Sequence, residues 1–203
     1  DRDYTNPYEA GVGVIAFTGA MDYWPNVDAV CWFTEHIFPT IRQQVPEVQF
    51  AIVGSRPASE VQRLTQQPGV LVTGQVPDIR PYLAHAACAV APLRIARGVQ
   101  NKVLEAMAMA RAVVVTPQAA EGVRARAGFD FELAQDGDRF AAAVLHHLTH
   151  ADPAMGQAAR ICILAHYDWQ RNLTAVDDCF EPACVLFSGL ENLPHDTLEI
   201  HPT

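Results

Sequence analysis

The segment Arg94 to Glu105 reads Arg-Ile-Ala-Arg-Gly-Val-Gln-Asn-Lys-Val-Leu-Glu and gathers the residue types that hold a phosphorylated ligand. It follows an apolar β-type run, Ala87–Ala91, and opens a helical run over 99–110. A helix start presents unpaired N–H groups and the positive end of the helix dipole, so it attracts anions. Arg94, Arg97 and Lys102 add fixed positive charge there. Gly98 opens the backbone, the chain turns through Val99, and Gln100 and Asn101 offer neutral donors. A cation such as Lys102 in the first turn opposes the dipole unless an anion shares the space. Glu105, one turn further on, can accept hydrogen bonds from vicinal hydroxyls. The set suits a diphosphate joined to a ribose. The same charges could simply face water at a solvated helix start, but a place at a strand tip favours the ligand.

The elements that must hold this segment alternate regularly. Short, nearly all-apolar runs at Val12–Thr18, Val48–Val53, Val70–Val72, Ala87–Ala91 and Ala112–Thr116 read as strands buried on both faces, with a weaker one over Phe129–Ala134. Between them lie helical patterns: Val27–Gln44, capped by Asn26 and kinked or broken at Pro39; Ala58–Thr65; a short helix capped by Asp78; the 99–110 run; and a turn at Ala119–Val123. Helices over 137–149, 153–166 and 168–180 follow. Such alternation predicts an α/β fold, a parallel sheet with helices on both faces. Right-handed crossovers then bring all the strand C-termini to one edge, where open α/β sheets bind ligands.

The other tips on that edge read Thr18-Gly19-Ala20-Met21, Gly54-Ser55-Arg56-Pro57, Thr73-Gly74-Gln75-Val76 and Thr116-Pro117-Gln118. Gly19, Gly54 and Gly74 would let a ligand approach the backbone, although glycine also ends strands for steric reasons alone. The dinucleotide fingerprint, the P-loop and the hydrolase nucleophile elbow are missing. The tips also lack the acidic cluster of a phosphoacceptor receiver domain.

A chain of 203 residues, 50% hydrophobic and 18% charged, can bury its own core and is not a disordered tail. Its net charge of −9 disfavours nucleic acid and anionic membrane as partners, so an anionic ligand needs a local positive feature. Five cysteines with no C-x-x-C pair fit a reduced, cytoplasmic setting. No apolar run has the length of a membrane span, and the opening residues lack signal-peptide character. Residues 1–10 read as the remnant of a linker, 11–180 as the domain with its C-terminal helices, and 181–203 as an irregular tail. The opening suggests a piece of a longer protein.

The run Val103-Leu104-Glu105-Ala106-Met107-Ala108-Met109-Ala110-Arg111-Ala112-Val113-Val114 resembles the L-E-A-M-A-x-G-x-P-V-V block of the family-four retaining glycosyltransferases, in their C-terminal, nucleotide-sugar-binding half. Ile52-Val53-Gly54, Val72-Thr73-Gly74-Gln75-Val76-Pro77-Asp78, and Val115-Thr116-Pro117 with Glu121-Gly122 fit the same half. The opening Phe17–Asn26 and the block Gly98–Ala108 are similar to sugar transferases associated with exopolysaccharide and PEP-CTERM export systems. The resemblance covers residues 6 to 180. It implies the Rossmann-like C-terminal half of a GT-B enzyme, a nucleotide-diphospho-sugar donor, retention of configuration, and no metal or cofactor.

Residue by residue, the resemblance makes Glu105 the second glutamate of the E-x7-E motif, which binds the nucleotide ribose. Gly74, Gln75 and Val76 would touch the base through the backbone, and Gly19 would approach the phosphates. Arg97 stands where the motif's first glutamate contacts the donor sugar. The basic residues that relatives carry after the first strand are also missing here, where the loop reads Met21-Asp22-Tyr23-Trp24-Pro25-Asn26. Arg94, Arg97 and Lys102 are expected to supply that charge, with Arg97 and Lys102 acting on the reacting diphosphate. The acceptor would belong to an N-terminal half outside this chain, leaving the fragment inactive alone. A cytoplasmic location, at most peripheral to the inner membrane face, is expected.

His146 and His150 share a helix face with no third metal ligand nearby, which favours a solvated face over a metal site. Two alternatives to a transferase stay open. One is a GT-B relative such as a nucleotide-sugar epimerase or a phosphorylase-like enzyme. The other is a degenerate, non-catalytic docking or regulatory module, which the Arg97 departure keeps in play.

Overall fold

The computed structural model describes residues 4–150 and 153–168, and one compact unit runs to His166. The expected helix over 168–180 and the tail at 181–203 lie outside the described residues. The strands are β1 (Val14–Thr18), β2 (Gln49–Val53), β3 (Val70–Gly74), β4 (Cys88–Ala91), β5 (Ala112–Val115) and β6 (Glu132–Leu133). They form one sheet in the order β3-β2-β1-β4-β5-β6, and every pairing is parallel. The helices are α1 (Trp24–Trp32), α2 (Phe38–Gln44), α3 (Ser59–Arg63), α4 (Arg80–Ala84), α5 (Asn101–Ala108), α6 (Pro117–Ala120), α7 (Gly137–Thr149) and α8 (Ala154–His166).

Register explains the two-sided core. Ile15 pairs with Phe50 and Phe17 with Ile52, so these four side chains share one face. There Phe50 meets Phe33 at a ring-centroid distance of 4.5 Å and Phe38 at 5.9 Å, and Phe140 from α7 closes on Phe33 at 5.9 Å. Each fully buried Phe is worth roughly 1.5–3 kcal/mol, so this aromatic cluster fixes α1, α2 and α7 against the sheet. Val14, Ala51 and Val53 bury on the opposite face, with Tyr8, Ile79 and Tyr82 packed on them.

Several boundaries differ from the sequence reading. The first helix starts at Trp24 with Pro25 in its opening turn, so Tyr23, not Asn26, occupies the cap position. Asn26 is buried inside the helix and donates from Nδ2 to the Ala20 carbonyl at 2.9 Å. The α-helical run is interrupted just ahead of Pro39. A π-helical turn over Phe33–Ile37 precedes it, and Pro39 sits in the first turn of α2, where its missing N–H costs least. Asp78 accepts from the Arg80 N–H at 2.9 Å, although Ile79 holds the cap position of α4. The helical turn after β5 lies earlier than expected, at Pro117–Ala120, and the weak strand shortens to Glu132–Leu133. The opening segment packs onto the domain: the Tyr8 hydroxyl donates to the Tyr82 carbonyl at 3.0 Å.

Candidate functional site

Strand order reverses at β1, which pairs with β2 on one side and β4 on the other. The crevice beyond this switch point is where doubly wound sheets take their ligands. Its floor is made by two loops that follow β1 and β2. Gly19 N–H donates to the Val53 carbonyl at 3.1 Å, Met21 N–H to Ser55 at 2.8 Å, and Ala58 N–H to Met21 at 3.0 Å. The loops approach so closely that a Cβ at Gly54 would lie 1.7 Å from the Gly19 oxygen.

Above this floor opens a cavity of about 460 Å³, lined by Thr18, Gly19, Val53, Gly54, Ser55, Arg56, Gln75, Val76, Ile79 and Glu105. That is within the size range of small-ligand pockets. Gly74, at φ +69°, ends β3 in the left-handed conformation that lets the chain turn into Gln75 and Val76.

Helix α5 brings the other wall. Its opening N–H groups, at Asn101 and Lys102, have no acceptor within the helix. The Gln100 amide folds back onto the Arg97 and Gly98 carbonyls at 3.3 and 3.2 Å, which shapes the preceding loop rather than leaving this amide for a ligand. Lys102 lies beneath the β1 tip: its Nζ is 5.6 Å from the Phe17 ring centroid, and its Cε would stand 3.5 Å from a Cβ at Gly19. Burial lowers the Lys102 pKa, with the Glu105 carboxylate opposing that shift. Glu105 sits at the exposed rim of the cavity. Desolvation around its carboxyl raises its pKa, while Lys102 and a hydrogen bond from Thr18 act in the other direction.

The cavity thus gathers Gly19, Gly54, Gln75, Val76 and Glu105 from the sequence candidates, with Lys102 just below. Arg94 is committed elsewhere. Its guanidinium pairs with Asp28 on α1, Nε to Oδ2 at 3.0 Å, and stacks 5.8 Å from the Trp32 ring centroid. Arg97, Gly98, Val99 and Asn101 are exposed on the loop and the first residue of α5, outside the lining.

A family model described as "Glycosyl transferases group 1" matches residues 13–150. The chain belongs to the group 1 glycosyl transferases. No curated protein matches it significantly. Solved structures do. S. aureus TarM superposes with a TM-score of 0.64 at 15% identity over 88% of this chain and 37% of TarM. Anabaena HepE in complex with UDP and glucose gives 0.68 at 14% identity, over 85% of this chain and 49% of HepE. The C-terminal domain of the Francisella tularensis group 1 protein LpcC gives 0.61 at 15% identity, over 78% of this chain and 87% of that domain. The fold is that of a Rossmann-like half of a GT-B glycosyltransferase, and the chain spans half or less of the length of TarM and HepE.

In this glycosyl transferase domain the sequence reading did not single out Thr18, Val53, Ser55, Arg56 and Ile79 as ligand contacts. Four of them adjoin the tip glycines, Thr18 before Gly19, Val53 before Gly54 and Ser55-Arg56 after it. Reading adjacent strand tips as one surface, not one at a time, would have found them. Among the described residues, no cluster of three His, Cys, Asp or Glu could hold a metal ion. His146 in the last turn of α7 and His150, the residue that caps it, stack with ring centroids 4.6 Å apart. Among the described residues, no helix is long and apolar enough to cross a membrane.

Proposed function

We propose that this chain is the donor-binding domain of a retaining, metal-independent glycosyltransferase that takes a nucleotide-diphospho-sugar. The observation that carries the reading is Glu105: a carboxylate lining the switch-point cavity together with Thr18, one turn beyond the open N-terminus of α5. A carboxylate there accepts from the vicinal hydroxyls of a ribose. Gly19 and Gly54 keep the floor free of side chains for a close phosphate approach. The α5 N–H groups and Lys102 then face the negative charge that grows on the departing nucleoside diphosphate, a preorganised arrangement that lowers the barrier without a metal. The UDP held by HepE makes uridine the first base to test.

The likeness of Val103–Val114 to the family-four block, and of Phe17–Asn26 to exopolysaccharide-system transferases, supports polysaccharide assembly in the cytoplasm as the setting. The acceptor would bind an N-terminal domain of the full-length protein, as the fraction of TarM and HepE spanned by this chain suggests. One observation favours a second reading. Arg97 replaces the motif's first glutamate and stands exposed, as it would in a degenerate module that docks a partner.

Calorimetric titration of the chain with UDP, GDP and ADP, beside Glu105→Ala, tests the proposal. One nucleotide should bind, and Glu105→Ala should weaken it by about tenfold or more, the worth of hydrogen bonds to a charged group. Equal affinity in the variant, or no binding by any nucleotide, would refute the donor site.

A further inference from the structure

We infer that Arg56, held in reserve by Asp22, is the side chain that grips the diphosphate of the donor; this rests on the donor-site reading above. Among the described residues lining the cavity, Arg56 is the one cation. Its backbone is at φ 50°, a left-handed conformation that a long side chain rarely adopts and that is often retained at functional positions. Arg56 follows two residues after Gly54, which is seated against Gly19, and it lines the cavity as an exposed residue. Its guanidinium reaches across to the β1 loop, with Nε 2.7 Å from Asp22 Oδ2 and Nη2 donating to Oδ1 at 3.2 Å.

This ion pair is exposed, with 70% of the Arg56 side chain and 45% of the Asp22 side chain open to solvent. An exposed pair of this kind is weak, and a doubly charged diphosphate with fork-matched oxygens outcompetes a single carboxylate. Arg56 therefore exchanges Asp22 for the ligand. The exchange moves a cation that is already at the cavity mouth. Arg94, by contrast, is bound to Asp28 and stacked on Trp32.

The test is a titration of the full chain, Arg56→Gln and Asp22→Asn with whichever of UDP, GDP and ADP binds the wild type, and with the matching nucleoside. Both substitutions break the same ion pair. A ligand role for Arg56 predicts opposite outcomes: affinity for the diphosphate falls about tenfold in Arg56→Gln, the loss of a charge-assisted contact, and rises about threefold in Asp22→Asn, where the competing carboxylate is gone. The nucleoside, lacking phosphate, should bind all three proteins equally, and Arg56→Lys should recover part of the affinity. A merely structural clasp would weaken binding in both variants and for both ligands, and that result overturns the assignment. An unchanged diphosphate affinity in Arg56→Gln also overturns it while leaving the donor site standing. A wild type that binds none of the three nucleotides refutes the donor site and this assignment with it.

Discussion

Gly54→Ala isolates the contact on which the cavity floor depends. The added Cβ would lie 1.7 Å from the Gly19 oxygen, and Cβ atoms essentially never come within 3.0 Å of a neighbour. Both partners are backbone, so no side chain can swing away and the loops after β1 and β2 must part by more than about 1 Å. At least two of the three hydrogen bonds joining these loops then fail, at roughly 1 kcal/mol each. Residual overpacking adds about 1–2 kcal/mol. The total of about 3–4 kcal/mol corresponds to a fall in melting temperature of roughly 6–15 °C for a domain of this size. Gly74→Ala is the matched control: it also carries a left-handed φ, but its Cβ would meet nothing within 4 Å. Only conformational strain remains there, about 1 kcal/mol. Differential scanning calorimetry of both variants separates the two costs. Should Gly54→Ala melt with Gly74→Ala, the close seating of the two loops is wrong, and with it the shape of the floor.

Glu105→Gln tests the electrostatics. Because desolvation raises the folded pKa of Glu105, its contribution to stability is complete below the unfolded value near about 4.3 and is lost as pH climbs through the folded value. The variant should therefore gain on wild type in melting temperature between pH 4 and pH 7, and a constant gap would contradict the assignment. Thr116 is buried, donates to the Leu93 carbonyl at 2.5 Å and caps α6 by accepting from Ala119 N–H at 3.3 Å, which ties the loop after β4 to the tip of β5. Thr116→Val should cost about 1–2 kcal/mol in urea denaturation; an unchanged midpoint would show that neither bond matters.

The parallel α/β architecture was legible because apolar runs and helical periods are local properties, and α7 falls on the predicted 137–149. That Gly19 and Gly54 line one cavity was legible because tip residues on one sheet edge meet whatever the loop details, and Glu105 joins them because the helix after β4 starts at that same edge. What escaped depends on partners distant in sequence. Arg94 looks free in its own segment, yet Asp28 sits 66 residues away and claims it. Arg56 looks like a turn residue until the β1–β2 register places Val53 beside Thr18 and brings Asp22 within reach. Asn26 illustrates a different failure. Asn is a favoured cap, but Pro25 is better placed in the first turn, and the amide found the Ala20 carbonyl instead.

These pairings bear on how a chain of net charge −9 can hold a polyanion at all. Three cations around the crevice have a carboxylate at hand: Arg56 pairs with Asp22 on the β1 loop, Arg94 pairs with Asp28 on α1, and Lys102 feels the charge of Glu105 on α5 itself. A site of this kind presents little net positive field to the solvent, so long-range attraction of the donor is weak. Recognition must then come from exchange at close quarters, with the N–H groups of α5, whose first turn carries no acidic residue, supplying positive charge. The same matching limits repulsion between the cations around the crevice. It also explains why the useful cation is the exposed, weakly held Arg56 and not the tightly engaged Arg94.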